Sequence, residues 1–104
     1  MKTRSVQYAP QFRSDLEAIY DFIADNASPS TAIAFIDRME EFCETLSHAS
    51  ERGTHHREIR AGLRSVGFER RVTIFFQVAE DNVSILRIFY AGRDWQAYLD
   101  EISG

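Results

Sequence analysis

The amino-acid sequence predicts a single α+β domain over residues 1–104, in which two helices pack on a small antiparallel sheet. Apolar residues recur with helical spacing in the first half of the chain, whereas β-branched and aromatic runs dominate the second half. A helix with an apolar stripe and a strand with an apolar face must each bury one side. Laying a helical hairpin on one face of the sheet buries all of these surfaces together.

The sheet is predicted mainly from two runs, Val72–Ala79 and Val83–Tyr90, which are rich in Val, Ile, Phe and Tyr. These residues favour strands, and the three polar residues 80–82 between the runs are typical of a tight hairpin connection. Alternation along the first run is imperfect, because apolar residues occur on both faces. We therefore expect one face to cover the core and the other face, which includes Phe75, to be left partly open for a partner.

The helical hairpin is predicted over residues 10–26 and 29–47. Apolar residues recur at helical spacing in both segments, at Phe12, Leu16, Ile19, Tyr20 and Ile23 in the first and at Ala32, Phe35, Ile36, Met39, Phe42, Cys43 and Leu46 in the second. Pro10 and Pro29 suit the first turn of a helix, where a missing N–H costs nothing, and Ser28 is expected to cap the second helix. The short connection predicts an antiparallel pair.

Three further elements complete the prediction. A short first strand is expected over Thr3–Tyr8, and another strand over Ile59–Phe68 with a kink at one of its glycines. A C-terminal helix is expected over Asp94–Ile102, with Asp94 as its N-cap. The segment 48–58 shows no periodicity and is predicted to be a surface loop that contains both His55 and His56.

Charge is distributed unevenly along the chain. Residues 1–51 contain four basic and nine acidic side chains, whereas residues 52–93 contain eight arginines and four acidic side chains. Lys2 is the single lysine. Because arginine forks bind carboxylates and phosphates at two points, the second half is suited to an anionic or acidic partner. The alternative is a solvated sheet face whose arginines form ion pairs with the acidic helices.

Composition disfavours several other classes of protein. No apolar run approaches the roughly 18 residues of a membrane span, and the first residues lead into no apolar signal segment. Cys43 has no second cysteine for a disulfide, and one cysteine with three scattered histidines gives no metal-ligand spacing. We therefore expect a cytoplasmic protein without a metal or cofactor.

Four motifs occur in order along nearly the whole chain. They are Phe12-x-x-Asp15-Leu16-x-x-Ile19-Tyr20-x-x-Ile23, then Ala32-x-x-Phe35-Ile36 with Leu46, then Ile59-Arg60-Ala61-Gly62-Leu63-Arg64, and finally the last strand followed by Gly92-Arg93-Asp94. In this order they resemble the RelE/ParE superfamily of bacterial type II toxins, and the first helix is similar to the ParE-like branch. The resemblance implies a toxin that a cognate ParD-like antitoxin neutralises in a hetero-oligomer.

The resemblance leaves two targets to choose between. ParE-like toxins poison DNA gyrase, whereas RelE-like toxins cleave mRNA on the ribosome with a sheet lined by lysines and arginines and with a C-terminal tyrosine. The residues that correspond to that catalytic set are Arg64, Arg71, Arg93 and Tyr98. The set is incomplete, because the lysines are missing and Arg71 only lies near the arginine position of the middle strand. We therefore expect a gyrase inhibitor that catalyses no reaction, with the mRNA endonuclease and a non-toxic interaction module as alternatives.

Two sets of contact residues are expected on this interpretation. The gyrase-binding set is Arg93, Asp94, Trp95 and Tyr98, since aromatic and arginine side chains dominate interface hot spots. The antitoxin-binding set is Arg64, Arg70, Arg71, Phe75 and Arg87. For Trp95 and Tyr98 the alternative is that they simply seal the sheet, and for Arg87 it is a structural ion pair.

Overall fold

Within the residues that the structure describes, five strands and three α-helices follow one another, in the order that the sequence pattern predicts apart from one additional short strand, β2. The computed structural model describes residues 3–91 and 95–103. The strands are β1 (Ser5–Tyr8), β2 (Thr54–His55), β3 (Leu63–Phe68), β4 (Val72–Val78) and β5 (Asn82–Tyr90), and the helices are α1 (Pro10–Asn26), α2 (Pro29–Glu44) and α3 (Trp95–Ser103). None of these helices is long and apolar enough to cross a membrane.

The five strands form one sheet in the order β1-β5-β4-β3-β2. Strands β2 to β5 pair antiparallel with their neighbours, whereas β1 lies parallel to β5. The α+β fold is confirmed, and the sheet is mixed rather than purely antiparallel. The direction of β1 was not predictable from its four residues, because alternation within a strand gives no information on its partner.

Both helices of the hairpin lie where the apolar spacing predicts them. α1 covers residues 10–26 as expected, and α2 ends at Glu44, after which Thr45–Ser47 tighten into a 3-10 turn. The Ser28 hydroxyl accepts a hydrogen bond from the Thr31 N–H at 3.1 Å, which confirms Ser28 as the N-cap of α2.

The main core lies between the helical hairpin and the sheet. Phe35 and Met39 of α2 share one buried cluster with Ile74 and Phe76 of β4 and with Ile88 of β5, as the sequence predicts. All five side chains are at most 3% exposed. Full burial of each such side chain contributes about 1.5–3 kcal/mol to the free energy of folding before the entropy of ordering is subtracted, so this cluster is the main source of stability.

A β-bulge in β5 explains why its apolar residues do not alternate strictly. Ile85 pairs with Phe76 and Arg87 pairs with Phe75, so that Leu86 has no partner in β4. The extra residue reverses which side chains face the helices after Ile85. Consequently Ile88 enters the main core, while Leu86 packs on the opposite face of the sheet.

The strand predicted over Ile59–Phe68 begins only at Leu63, and this part of the prediction is wrong. The N–H groups of Ile59 and Arg60 both donate to the carbonyl of His56, which makes a turn there instead of a strand. Gly62 then has φ +82°, and a Cβ on it would lie 2.4 Å from the carbonyl oxygen of Val78. The turn therefore requires glycine at this position. The loop predicted over 48–58 also contains the two-residue strand β2.

α3 covers the face of the sheet opposite to the hairpin. Leu99 of α3, Leu63 of β3 and Phe75 of β4 form a second buried cluster, to which aromatic side chains of β5 and α3 add partly buried rings. The predicted C-terminal helix is confirmed from Trp95 onward, whereas the predicted N-cap, Asp94, lies outside the described residues. The face that was expected to await a partner is thus covered by the chain itself at its centre.

Candidate functional site

Phe75 is the centre of the face covered by α3. Its ring is fully buried, and four rings surround it with centroids 5.5 Å away for Tyr98, 5.7 Å for His56, 5.8 Å for Phe89 and 6.0 Å for Trp95. Each favourable aromatic pair adds about 0.5–1.5 kcal/mol beyond area burial. The expectation that Phe75 contacts a partner is wrong for this fold, because the ring has no exposed surface. Its role is to hold α3 on the sheet.

Trp95 and Tyr98 lie on the first turn of α3, above Phe75. Both rings are partly buried against the second cluster and leave the remainder of their surface to solvent. They therefore seal the sheet and at the same time form a partly exposed aromatic surface. Arg93 and Asp94, the other two residues of the expected gyrase-binding set, lie outside the described residues.

Arg87 forms the structural ion pair that the sequence left open as an alternative. Its Nε and Nη2 atoms donate to the two carboxylate oxygens of Asp15 at 2.7 and 3.0 Å, and the Ile88 N–H donates to the same carboxylate at 3.0 Å. The guanidinium also lies 5.4 Å from the centre of the Tyr98 ring. The hydrogen bond to Asp15 raises the pKa of Arg87. Because the Nε/Nη2 edge of its guanidinium is already bonded to Asp15, Arg87 links α1, β5 and α3 within the toxin.

Three other arginines of the expected sets, Arg64, Arg70 and Arg71, do not converge on Tyr98. Arg64 pairs in register with Phe76 on the helical face of the sheet, where its Nη1 donates to the Arg52 carbonyl at 3.3 Å. Tyr98 lies on the opposite face. Arg71 is exposed just before β4, four residues from the centre of that face at Phe75, which is about 13 Å along a strand. Arg70 is exposed in the turn between β3 and β4, with φ +58°.

His56 is a member of this site that sequence analysis missed. Its Nε2 lies 2.7 Å from the Ser65 hydroxyl, and its ring stacks on Phe75 at an angle of 30°. Sequence analysis assigned it to a solvated loop, because a two-residue strand gives no periodicity. Its neighbour His55 lies beside Arg64, and its Nε2 accepts from the Gly62 N–H at 3.3 Å. Desolvation, followed by the nearby charges of Arg64 and Arg57, lowers the pKa of His55.

Burial keeps the Tyr98 hydroxyl protonated at neutral pH. Burial raises the pKa of its hydroxyl, although the neighbouring Arg60 and Arg87 oppose the shift. A neutral phenol is a hydrogen-bond donor and a weak acid rather than a base. In the described part of the chain, no three His, Cys, Asp or Glu side chains lie close enough together to hold a metal ion. The arrangement therefore offers an aromatic contact surface with a cation beside it.

Comparison with known proteins places this fold in a family. A model described as "ParE toxin of type II toxin-antitoxin system, parDE" matches residues 6–95. The chain is also similar to a solved structure described as the chromosomal ParDE TA system from P. aeruginosa, with a TM-score of 0.73 and 24% identity over 86% of this chain and 97% of that chain. No curated protein matches it. Since the family model spans α1, α2, all of the sheet except the first residue of β1, and the first residue of α3, the chain belongs to the ParE toxin family of type II toxin–antitoxin systems.

Proposed function

We propose that this toxin inhibits DNA gyrase by direct binding and catalyses no reaction of its own. The gyrase-binding surface is the beginning of α3, where Trp95 and Tyr98 lie, and the proposed contact set also includes Arg93 and Asp94, which precede Trp95 in the chain. The support for this assignment is the pair of partly exposed rings held above Phe75. Rigid aromatic groups with an adjacent cation are typical of binding hot spots, since they lose little entropy on contact.

The separation of the polar groups favours binding over catalysis. An RNA-cleaving site needs a base, an acid and cations within hydrogen-bond reach of one phosphate. Arg64 lies on the opposite face of the sheet from Tyr98. Arg71 directly precedes the first residue of β4, whereas Tyr98 packs on Phe75 in the middle of that strand. Neither Arg64 nor Arg71, two arginines of the expected catalytic set, is within hydrogen-bond reach of the Tyr98 hydroxyl.

The mRNA endonuclease remains the second candidate, and one observation favours it. Arg87, His56 and Tyr98 all lie around Phe75 on one face of the sheet. A protonated phenol beside a guanidinium is suited to donate a proton to a leaving oxygen and to stabilise a charged phosphate. The experiment below therefore measures both activities with the same preparation.

The antitoxin is the second partner in this proposal. The similar structure is of a ParDE system, which supports a ParD-like antitoxin, and we place both partners in the cytoplasm. Arg70 and Arg71 are exposed, and neither guanidinium has a hydrogen-bond partner among the described residues. They are the members of the expected antitoxin-binding set that are best placed to receive an acidic segment, since Arg64 and Arg87 already donate within the chain. The complex is a hetero-oligomer of the two proteins.

The gyrase proposal is tested by supercoiling assays on wild type, Trp95→Ala and the matched control Gln96→Ala. Gln96 is exposed on the same turn of α3 and bonds only to Asp100 among the described residues. We expect Trp95→Ala to weaken inhibition by an interface-sized step of about 1–3 kcal/mol, and Gln96→Ala to have little effect. Thermal melts of the variants show whether the fold is retained.

A parallel assay with ribosome-bound mRNA decides between the two candidates. A nuclease that uses the Tyr98 hydroxyl would lose activity by orders of magnitude in Tyr98→Phe, whereas a gyrase inhibitor keeps the ring and most of its binding. Cleavage of mRNA by the wild type, with supercoiling unaffected, would overturn the gyrase assignment.

The antitoxin proposal is tested by melting the toxin with and without its partner. A ligand that binds only the folded state raises the melting temperature with its concentration. We expect a smaller increase for Arg70→Glu/Arg71→Glu than for wild type, because two favourable charges become unfavourable. An unchanged melting temperature of the wild type at saturating partner would refute the proposal.

A further inference from the structure

The two helices leave a groove along their seam, beside the main core. At one end it is lined by Tyr8, Phe12 and Leu16 on one side and by α2 on the other, with a volume of about 930 Å³. It continues toward Tyr20 and Ile33 as a shallower part of about 250 Å³. The two parts share Arg13, Leu16 and Asp37, so they form one continuous surface, which we call the seam groove.

Apolar groups at both ends of the seam groove are open to solvent. Tyr8 is 40% exposed and Ile33 is 52% exposed, and among the large hydrophobic residues of the described chain only Phe22 is comparably exposed. Tyr8 is held in place by its ring contact with Phe12 and by its hydroxyl, which donates to the Glu44 carboxylate. The groove is therefore a pre-formed apolar floor rather than a set of unrelated surface residues.

Carboxylates form one wall of the seam groove, and the repulsion between them is unfavourable in the free protein. Asp37, Glu40, Glu41 and Glu44 occupy positions i, i+3, i+4 and i+7 of α2, so that they lie next to one another. Like charges at this spacing destabilise a helix, and carboxylates near its C-terminus also oppose the helix dipole. The side-chain carboxylates of Asp37, Glu40 and Glu41 make no hydrogen bond or ion pair within the described residues.

The balance of charge around the apolar floor is strongly negative. Glu17 adds a fifth carboxylate at the far end of the groove, and Arg13 is the one basic residue among those that line it in the described chain. Glu44 accepts a hydrogen bond from the Tyr8 hydroxyl, which brings no positive charge to the groove. A partner that brings positive charge would therefore relieve repulsion that the folded toxin otherwise retains.

The shape of the seam groove favours a helix over an extended segment. Both walls are helices whose backbone groups are already bonded internally, so a strand lying in the groove would find no N–H or C=O groups to pair with. A helix satisfies its own backbone. The distance from Ile33 to Glu44 along α2 is about 16 Å, which matches roughly three turns of a partner helix.

We propose that the seam groove binds a basic amphipathic helix of a partner protein. The apolar stripe of that helix contacts Tyr8, Leu16 and Ile33, and its lysines or arginines lie against Asp37, Glu40 and Glu41. This contact is separate from the α3 surface and from the exposed arginines at the β3–β4 turn, and it holds whether or not gyrase is the target. A partner that uses both surfaces of the toxin would combine a basic helix with an acidic segment.

The proposal is tested with synthetic peptides of about 14 residues as probes. One peptide has Leu at helical spacing with Lys elsewhere, a second has Glu in place of every Lys, and a third has the composition of the first in an order without amphipathic spacing. Fluorescence anisotropy measures binding to the full chain, and circular dichroism measures helix formation in the mixture. We expect the first peptide alone to bind, to become helical and to dissociate as salt is raised.

Variants of the toxin locate the binding surface. Glu40→Lys should weaken binding of the basic peptide about tenfold or more, and Ile33→Ser should weaken it without altering charge. Asp25→Lys is the matched control, because it makes the same charge change at an exposed position of α1 outside the groove. Equal losses in Asp25→Lys and Glu40→Lys would show non-specific attraction and would overturn the proposal, as would equal binding of the acidic peptide.

A measurement without any partner checks the electrostatic premise. Glu40→Gln/Glu41→Gln removes the repulsion while keeping the shape of both side chains, so the melting temperature of the free toxin should rise. Asp25→Asn serves as the control for loss of an exposed charge elsewhere. A melting temperature that falls in the Gln variant would contradict the premise, and with it the reason for expecting a basic partner.

Discussion

The two faces of the sheet are covered in different ways. On one face, two helices of 17 and 16 residues bury Phe35, Met39, Ile74 and Phe76 almost completely. On the other face, a single helix of nine residues is held mainly by rings around Phe75, and most of these rings stay partly exposed. The face under α1 and α2 is a buried core. The face under α3 is covered only in part by the chain and has the aromatic composition of an interface.

If α3 binds the target as proposed, this difference divides stability and target binding between the two faces of the toxin. Free energy of folding comes mainly from the helical face, because its side chains are large, aliphatic or aromatic, and fully removed from water. The α3 face combines a small buried centre with exposed aromatic and basic groups. Residues that bind a target have to remain accessible, so they cannot also be the residues that contribute most to the core.

The comparison is tested most strongly by truncating one side chain on each face. Phe76→Ala should lower the free energy of unfolding by about 3–5 kcal/mol, whereas Leu99→Ala should cost about 2 kcal/mol, since the small second cluster can relax around the cavity. Urea unfolding followed by circular dichroism measures both. Equal losses would mean that the α3 face is as much a core as the helical face.

The Asp15–Arg87 pair connects the two faces and should have the next largest effect. Asp15→Asn removes the charged partner of Arg87, whose side chain is 28% exposed, and weakens the bond to the Ile88 N–H. We expect a loss of about 1–3 kcal/mol, below the cost of breaking a fully buried pair. Asp21→Asn, at an exposed position of the same helix, is the control and should change stability little.

Hydrogen exchange sharpens the comparison without any mutation. Amides in the last turn of α3 should exchange at least roughly tenfold faster than those of β4, a difference of about 1.4 kcal/mol in opening free energy, because α3 can detach locally while the main core stays intact. Protection of α3 equal to that of β4 would show that both faces open only on global unfolding.

The smallest effect is expected from pH at the edge of the sheet. The pKa of His55 is lowered in the folded state, chiefly by desolvation and then by Arg64 and Arg57, so the unfolded chain binds the proton more tightly. Stability from this group is present above the unfolded pKa of about 6.5 and is lost as the pH falls through that value and below it. Between about pH 7.5 and 5.5, wild type should lose more stability than His55→Gln, which keeps an acceptor for the Gly62 N–H. Identical pH dependence of stability in the two proteins would argue against a contribution from protonation of His55.

Periodic patterns gave reliable predictions wherever they extended over several turns or strand residues. The stripe from Phe12 to Ile23 and the one from Ala32 to Leu46 predicted α1 and α2 and their packing on Ile74 and Phe76. The alternative of an ion pair for Arg87 was also available from its position among apolar neighbours. Errors arose where elements are short, as in β2, or where a turn replaced half of a strand, as it does before Leu63.

The sequence by itself determined the two helices, the central hairpin, the family and the uneven distribution of charge, because each depends on residues that are close in the chain or occur in a fixed order. Only the tertiary structure decided which face α3 covers, that Phe75 is buried, that His56 meets Ser65, and that carboxylates of α2 line a groove with Tyr8. These features join segments far apart in sequence, and pairing between such segments depends on how whole surfaces fit together. A local pattern specifies which side of an element is apolar, but it does not specify what will cover that side.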